Sequence, residues 1–127
     1  MEFSFNGQSS RNFNIKIKNS NHLSIPSKKL EFIEVEGRTD NLVIDNGCRE
    51  MINIEIECLI DCRSSSTKEM STRLDTWLNG HEGYKNLTFD DGTSLKAIFI
   101  SQLDFKDILP NLSELVLQFK AYREGDL

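Results

Sequence analysis

The side chains of this 127-residue chain that could do chemistry are few and scattered: two histidines, His22 and His81, three cysteines, Cys48, Cys58 and Cys62, and the neighbouring carboxylates Asp90 and Asp91. A catalytic or metal centre needs a nucleophile, a base or a ligand cage converging on one point. Both histidines fall in expected loops, and His81 follows the end of an expected helix, where an imidazole can meet the last carbonyls. The Cys58-x3-Cys62 spacing departs from zinc-finger spacing, and no second Cys or His pair follows it. Cys58 falls on the apolar face of an expected strand, the place of a small buried hydrophobe. Asp90-Asp91-Gly92 has the chemistry of a turn whose carboxylates bond local backbone, and the Asp-x-Asp-x-Asp-Gly ladder of a calcium loop is missing. Gly37-Arg38-Thr39-Asp40 is followed by neither a lysine nor a helix start, so it is not a phosphate loop. Lys16, Lys18, Lys28 and Lys29 lack interleaved aromatics and read as a solvated face. The expectation is a protein without catalytic residues, cofactor or metal.

Bulk properties narrow the class. The chain is long enough for one domain with a real core, and residues 1–127 are taken as a single domain. Hydrophobic residues make up 38% and charged residues 28%, a balance that suits a folded domain and argues against disorder. A net charge of −5 disfavours non-specific binding to DNA or to an anionic membrane, since both need surplus Lys and Arg. No apolar run approaches the ~20 residues of a membrane helix. The first residues, Met1-Glu-Phe-Ser-Phe-Asn-Gly, lack the basic and apolar regions of a signal peptide, so free thiols in a reducing compartment are expected. For the same reason Asn86-Leu-Thr and Asn111-Leu-Ser are read as chance matches to the glycosylation pattern.

The elements that must position these residues are mostly strands. Phe3-Ser-Phe-Asn ends at the turn pair Asn6-Gly7. Phe13-Asn-Ile-Lys-Ile-Lys alternates like a half-buried strand, and residues 19–28 form a loop. Leu30 to Glu36 and Leu42 to Asp45 form a hairpin with its tip at Gly37-Arg38-Thr39-Asp40, and Asn46-Gly47 signals another turn. Ile52, Ile54, Ile56, Cys58 and Ile60 share one face of a long strand, opposite Asn53, Glu55 and Glu57. The period then changes: Ser66-Thr-Lys-Glu69 fits a capping box, and Met70, Leu74, Trp77 and Leu78 form one helical stripe against a sheet. Asn79-Gly80 is expected to end that helix in a left-handed residue. Leu87-Thr-Phe and Leu95 to Ile100 flank a hairpin turn at Asp90-Asp91-Gly92, and the second of these strands carries apolar groups on both faces, as if covered on both sides. Leu109-Pro110-Asn111 marks a turn before the last strand, Glu114 to Tyr122, with Leu115, Leu117, Phe119 and Ala121 on one face. The fold class is mainly β with one helix: a β-sandwich or partly open barrel with a protruding hairpin.

The hairpin sets the functional reading. Its first arm carries Leu30 and Phe32 on one face and Ile33 and Val35 on the other. One small domain rarely buries both faces of a protruding ribbon, so a second chain is expected to cover the remainder. A contact of that kind that closes on itself makes a ring.

These segments resemble the phage distal tail protein family. The likeness is carried by Phe3-Ser-Phe-Asn-Gly7 with Ser9-Ser10 and Phe13-Asn-Ile, by Phe32-Ile-Glu-Val-Glu-Gly-Arg38 followed by Leu42-Val-Ile-Asp-Asn-Gly47, by Asn53-Ile-Glu-Ile-Glu, by Trp77-Leu-Asn-Gly80 and by Leu117-Gln-Phe-Lys-Ala-Tyr122. It spans nearly the whole chain in order. The family's pattern usually has Pro before the Gly-Arg and Asp-Gly after it, where Glu36 and Thr39-Asp40 stand here. The resemblance implies the ring-forming N-terminal domain without a second, lectin-like one. It implies a structural virion component at the tail tip, assembled in the bacterial host cytoplasm: a homohexameric ring joining the tail tube protein to the tail-tip hub or baseplate, with a channel that DNA passes without specific binding. The expected subunit-interface residues are Phe32, Ile33, Val35, Arg38, Leu42 and Ile44, with Arg38 reaching across subunits through its fork of donors. The alternatives are another tube-like ring subunit, of a tail tube or a hub, and a monomeric carbohydrate-binding β-sandwich, which would need an exposed aromatic platform.

Overall fold

The computed structural model describes residues 1–61, 67–109 and 112–123. In chain order the elements are β1 (Phe3–Phe5), β2 (Gln8–Ser9), a 3-10 turn (Ser10–Phe13), β3 (Ile15–Ser20), β4 (Lys28–Ile33), β5 (Leu42–Arg49), β6 (Ile52–Asp61), α1 (Thr67–Asn79), β7 (Lys85–Phe89), β8 (Ser94–Phe99), β9 (Lys106–Leu109) and β10 (Leu112–Tyr122). No helix among the described residues is long and apolar enough to cross a membrane.

Eight strands form one antiparallel sheet in the order β2-β1-β7-β8-β10-β6-β3, with β9 also on β10. Its spine is the β6–β10 ladder, ten residue pairs from Leu112 opposite Asp61 to Ala121 opposite Ile52. The alternation read in Ile52 to Ile60 and in Leu115 to Ala121 is the alternation of burial: these apolar side chains face inward, while Asn53, Glu55 and Lys120 face out. The sheet is not closed into a barrel but curls over itself. Phe5 of β1 and Phe119 of β10 have two strands, β7 and β8, between them in sheet order, yet their ring centroids are 5.0 Å apart. The fold is thus mainly β and sandwich-like, with one helix.

Helix α1 closes the open side. Its stripe Met70, Leu74, Trp77 and Leu78 is buried. Trp77 stacks on Phe13 at 4.3 Å and on Phe3 at 5.6 Å, and its indole N–H donates to the carbonyl of Phe5 at 2.9 Å. One side chain therefore joins the helix, the first strand and the 3-10 turn. On β6, Cys58 donates its S–H to the carbonyl of Leu115 at 3.2 Å, and burial, helped by the nearby charge of Glu114, pushes its thiol up to about 12.

Several local expectations need correction. Phe13 belongs to the 3-10 turn rather than to a strand; Asn14, left-handed at φ 57°, breaks the extended run before Ile15. Gly80 does not end α1 in a left-handed conformation. Its N–H continues the helical pattern to Thr76 at 3.1 Å, a Cβ there would run into the Thr76 carbonyl oxygen, and the positive φ falls instead at Gly83 (74°). Asn46-Gly47 is no turn: β5 runs through it to Arg49, and Gly47 (φ 74°) sits in a bulge where Asn46, Gly47 and Cys48 of β5 oppose Lys29 of β4. The outer face of β8 is not covered, since Ile98 is half-buried and the following Ile100 exposed. Strand β9 went unanticipated, because Lys106–Leu109 shows no alternation and is wholly exposed. The capping residue Ser66, Cys62 and the Pro110-Asn111 turn lie outside the described residues. Asn6-Gly7 forms the expected two-residue turn, with both residues at positive φ as a type I′ turn requires.

Two outcomes follow. Trp77→Ala should lower unfolding free energy by about 3–5 kcal/mol, from the cavity and the orphaned Phe5 carbonyl, whereas Trp77→Phe should cost only about 1–2 kcal/mol; urea unfolding followed by circular dichroism measures both. Cys58 should resist alkylation in the native protein at pH 8 and react once it is unfolded, as read at that residue by peptide mass spectrometry. With its folded value near 12, above the ordinary thiol value of 9.0, the native state holds a proton that the unfolded state releases, so stability should fall as pH rises above about 9.

Candidate functional site

Strands β4 and β5 pair with each other and with no strand of the main sheet. Every residue from Ser27 to Gly47 is exposed, so the ribbon stands clear of the body as an arm. The register places Leu30 opposite Asp45, Glu31 opposite Ile44, Phe32 opposite Val43 and Ile33 opposite Leu42. Directly opposed residues share a face. One face therefore shows Leu30, Phe32 and Val43, and the other shows Ile33, Leu42 and Ile44. Phe32 is 60% exposed and Val43 50%. Exposed Leu23 and Ile25, in the loop before β4, extend the apolar surface to the foot of the arm.

The tip is a defined turn. The N–H of Arg38 donates to the Val35 carbonyl at 3.1 Å, with Gly37 at φ 83° in the third position, where a type II turn requires positive φ. The Arg38 guanidinium grips Asp40 through two hydrogen bonds, Nε to Oδ1 at 3.2 Å and Nη2 to Oδ2 at 2.8 Å. Its partner in the single chain is thus its own neighbour. Both side chains are largely in water, so the pair shapes the tip and adds little stability.

The foot is tied down. Glu50 N–H donates to Ser27 carbonyl at 2.8 Å, and Arg49 donates to the carbonyl of the buried Pro26 at 2.9 Å. Arg123 reaches the carbonyl of Ser24 from the end of β10 at 3.0 Å. Just before these residues sits His22, only 3% exposed, where the sequence suggested an open loop. Its ring stacks on Phe89 at 4.0 Å, with Nε2 2.7 Å from Asp91 Oδ2 and Nδ1 3.0 Å from Ser20 Oγ. A carboxylate only accepts, so Nε2 carries the proton; Ser20 Oγ accepts the His22 backbone N–H and donates to Nδ1. Asp91 also accepts the N–H of Thr93 at 3.0 Å, and that bond, followed by the one from His22, holds its carboxyl down at about 2. Ser20, His22 and Asp91 are committed to one another and to backbone, so they clamp the foot of the arm to the β7–β8 turn.

The sequence-derived interface residues are distributed unevenly. Phe32 and Ile33 lie on opposite faces of β4, Leu42 and Ile44 share a face of β5, and Val35 and Arg38 belong to the connection beyond the ladder. Val43 and the His22 clamp were missed. The run Leu42-Val-Ile signals Val43 plainly; nothing in the sequence joins His22 to Asp91, 69 residues away. His81 does not meet the helix carbonyls: its ring packs against Phe5 at 5.3 Å, and neither ring nitrogen has a hydrogen-bond partner. Among the described residues no group of His, Cys, Asp and Glu could hold a metal ion.

No protein-family model matches the chain, and no curated protein does. A solved structure does: that of SPP1 Dit (gp 19.1), described as a paradigm of the hub adsorption apparatus in Gram-positive infecting phages, superposes with a TM-score of 0.75 at 12% identity. The superposition covers 98% of this chain and 50% of that one, so the present chain spans about half the length of SPP1 Dit. At that identity the likeness is one of fold, and the fold is Dit-like.

The clamp gives an acid signature. The Asp91 carboxyl lies below its ordinary value of 3.8, so its contribution to stability is complete above about pH 4 and is lost as pH falls towards about 2. Thermal unfolding of Asp91→Asn should be less acid-sensitive than wild type across that window. An unchanged slope would show that the clamp does not couple to folding.

Proposed function

We propose that this chain is a structural component of a phage tail: a homo-oligomeric ring adaptor between the tail tube protein and the tail-tip hub, with a central passage for DNA and no catalytic role. The observation that carries this reading is the arm, twenty-one consecutive exposed residues from Ser27 to Gly47 that include Leu30, Phe32, Ile33, Val35, Leu42, Val43 and Ile44. Apolar surface of this density on an extended ribbon marks a contact site. A ribbon that leaves its own body and meets a different patch on the next copy makes a heterologous contact, and such a contact makes a ring where its rotation closes. The Dit-like fold supports the choice of a tail-tip ring over other rings.

The charge agrees with this reading. Each copy carries a net −5, and a ring of copies multiplies it, so the wall of a passage would repel the phosphate backbone and let DNA slide. Glu34, Glu36 and Asp40 on the arm and Glu55 on the wet face of β6 are exposed carboxylates available to such a wall.

Light scattering on purified protein at micromolar concentration tests the reading. The expected species is a ring of about six copies, closing through a heterologous contact. Phe32→Asp with Val35→Asp should give a protein with unchanged circular dichroism and the mass of one chain, because neither side chain supports the body. A wild-type protein that stays monomeric at every concentration overturns the proposal.

A further inference from the structure

Building on that reading, we propose that the arm is a two-sided joint, its two faces covered by two different copies of this chain, so that each copy touches more than its immediate neighbour. The register carries the first step. Leu30, Phe32 and Val43 are presented on one side and Ile33, Leu42 and Ile44 on the other, and all six are exposed. Strands with apolar side chains on both faces are commonest in inner layers, and the arm presents a denser apolar surface on each face than the outer face of β8. An arm laid by one face on one neighbour would leave three large aliphatic or aromatic groups in water on every copy.

Area carries the second step. Strands of six residues at ~3.3 Å rise make a ribbon ~20 Å long and, with side chains, ~10 Å wide, so one face offers a few hundred Å², well short of the ~800 Å² per partner of a stable interface. Covering both faces doubles the area that the arm contributes to the ring.

Volume carries the third. Burying both faces in a single copy requires a slot that admits a ribbon of ~20 by ~10 by ~10 Å, on the order of 2,000 Å³. Among the described residues, the two roomiest grooves are of about 510 Å³, beside Glu114, Val116 and Gln118, and about 490 Å³, beside Arg73, Thr76 and His81. Both are too small, and both are lined largely by polar side chains. The second face therefore falls to a second copy, and the arm is a middle layer between two subunits.

The test places the photo-crosslinker benzoylphenylalanine at positions 32 and 42 of one chain, dilutes that chain into excess unlabelled protein and irradiates the assembled ring. The expected product is three chains joined through one labelled arm. A product of two chains only, with both positions attached to the same neighbour, overturns the two-copy joint and leaves the ring intact. Paired variants give an independent readout: Phe32→Asp with Val43→Asp, and Leu42→Asp with Ile44→Asp, should each reduce the assembly to single chains. If either pair keeps the wild-type mass, one face is dispensable and the joint is one-sided. If the unmodified protein never assembles, the ring reading itself has failed, an outcome distinct from both. Should a paired variant not fold, the crosslinked product decides.

Discussion

Trp77 is the point where the otherwise separate parts of the body meet, and its contacts explain why one helix suffices to close a sheet of eight strands. The indole is buried between the rings of Phe3, Phe5 and Phe13, and its N–H satisfies the carbonyl of Phe5, so dispersion, hydrophobic burial and a buried hydrogen bond act at one place. A buried indole N–H without an acceptor would be costly, which ties the position of the helix to the position of β1 to within a hydrogen-bond length. Phe5 then carries the contact across the curl to Phe119 on β10. The body is therefore complete without β4 and β5, and that completeness leaves the arm outside.

Body and arm obey different energetics. In the body, apolar side chains leave water at about 25 cal/mol per Å² of buried surface, and the alternating faces of β6 and β10 supply nine of the 22 buried apolar residues among those described. In the arm, the same residue types remain 36–60% exposed in the isolated chain and gain far less. A two-stranded ribbon alone is marginal in water. What holds it here is its ladder, the Gly47 bulge, the turn at Gly37 and the anchors at its foot: Arg49 on Pro26, Glu50 on Ser27, and the His22–Asp91 clamp just upstream. The clamp matters because it fixes where the arm leaves the body.

The assembly reading and the chemistry of the clamp are linked through this division. His22, Ser20 and Asp91 are the kinds of residue that elsewhere support catalysis, but here each polar atom bonds another part of the same fold, and the imidazole lies flat on Phe89. Cys58 is likewise a thiol whose burial raises its pKa and disfavours the reactive thiolate. His22, Asp91 and Cys58 are taken up by contacts of the body, whereas the apolar Phe32, Val43 and Leu42 of the arm are left exposed.

Much of this was legible in the residues alone. The period of two in Ile52 to Ile60, the stripe Met70, Leu74, Trp77 and Leu78, the Asn6-Gly7 turn and the apolar content of Leu30 to Ile44 are local patterns, and local patterns follow from backbone geometry: side chains alternate on a strand and recur every three to four residues on a helix. What stayed hidden was whatever depends on residues far apart in the chain. The pairing of His22 with Asp91 and the seat of Phe13 beneath Trp77 exist only once distant segments are brought together. The bulge at Gly47 is a middle case, since Asn-Gly announces positive φ but not whether the chain turns or merely kinks there. The sequence by itself determined which side chains want cover. Only the tertiary structure decided which of them receive it, because cover depends on a core that closes through Trp77 and has no room left for the arm.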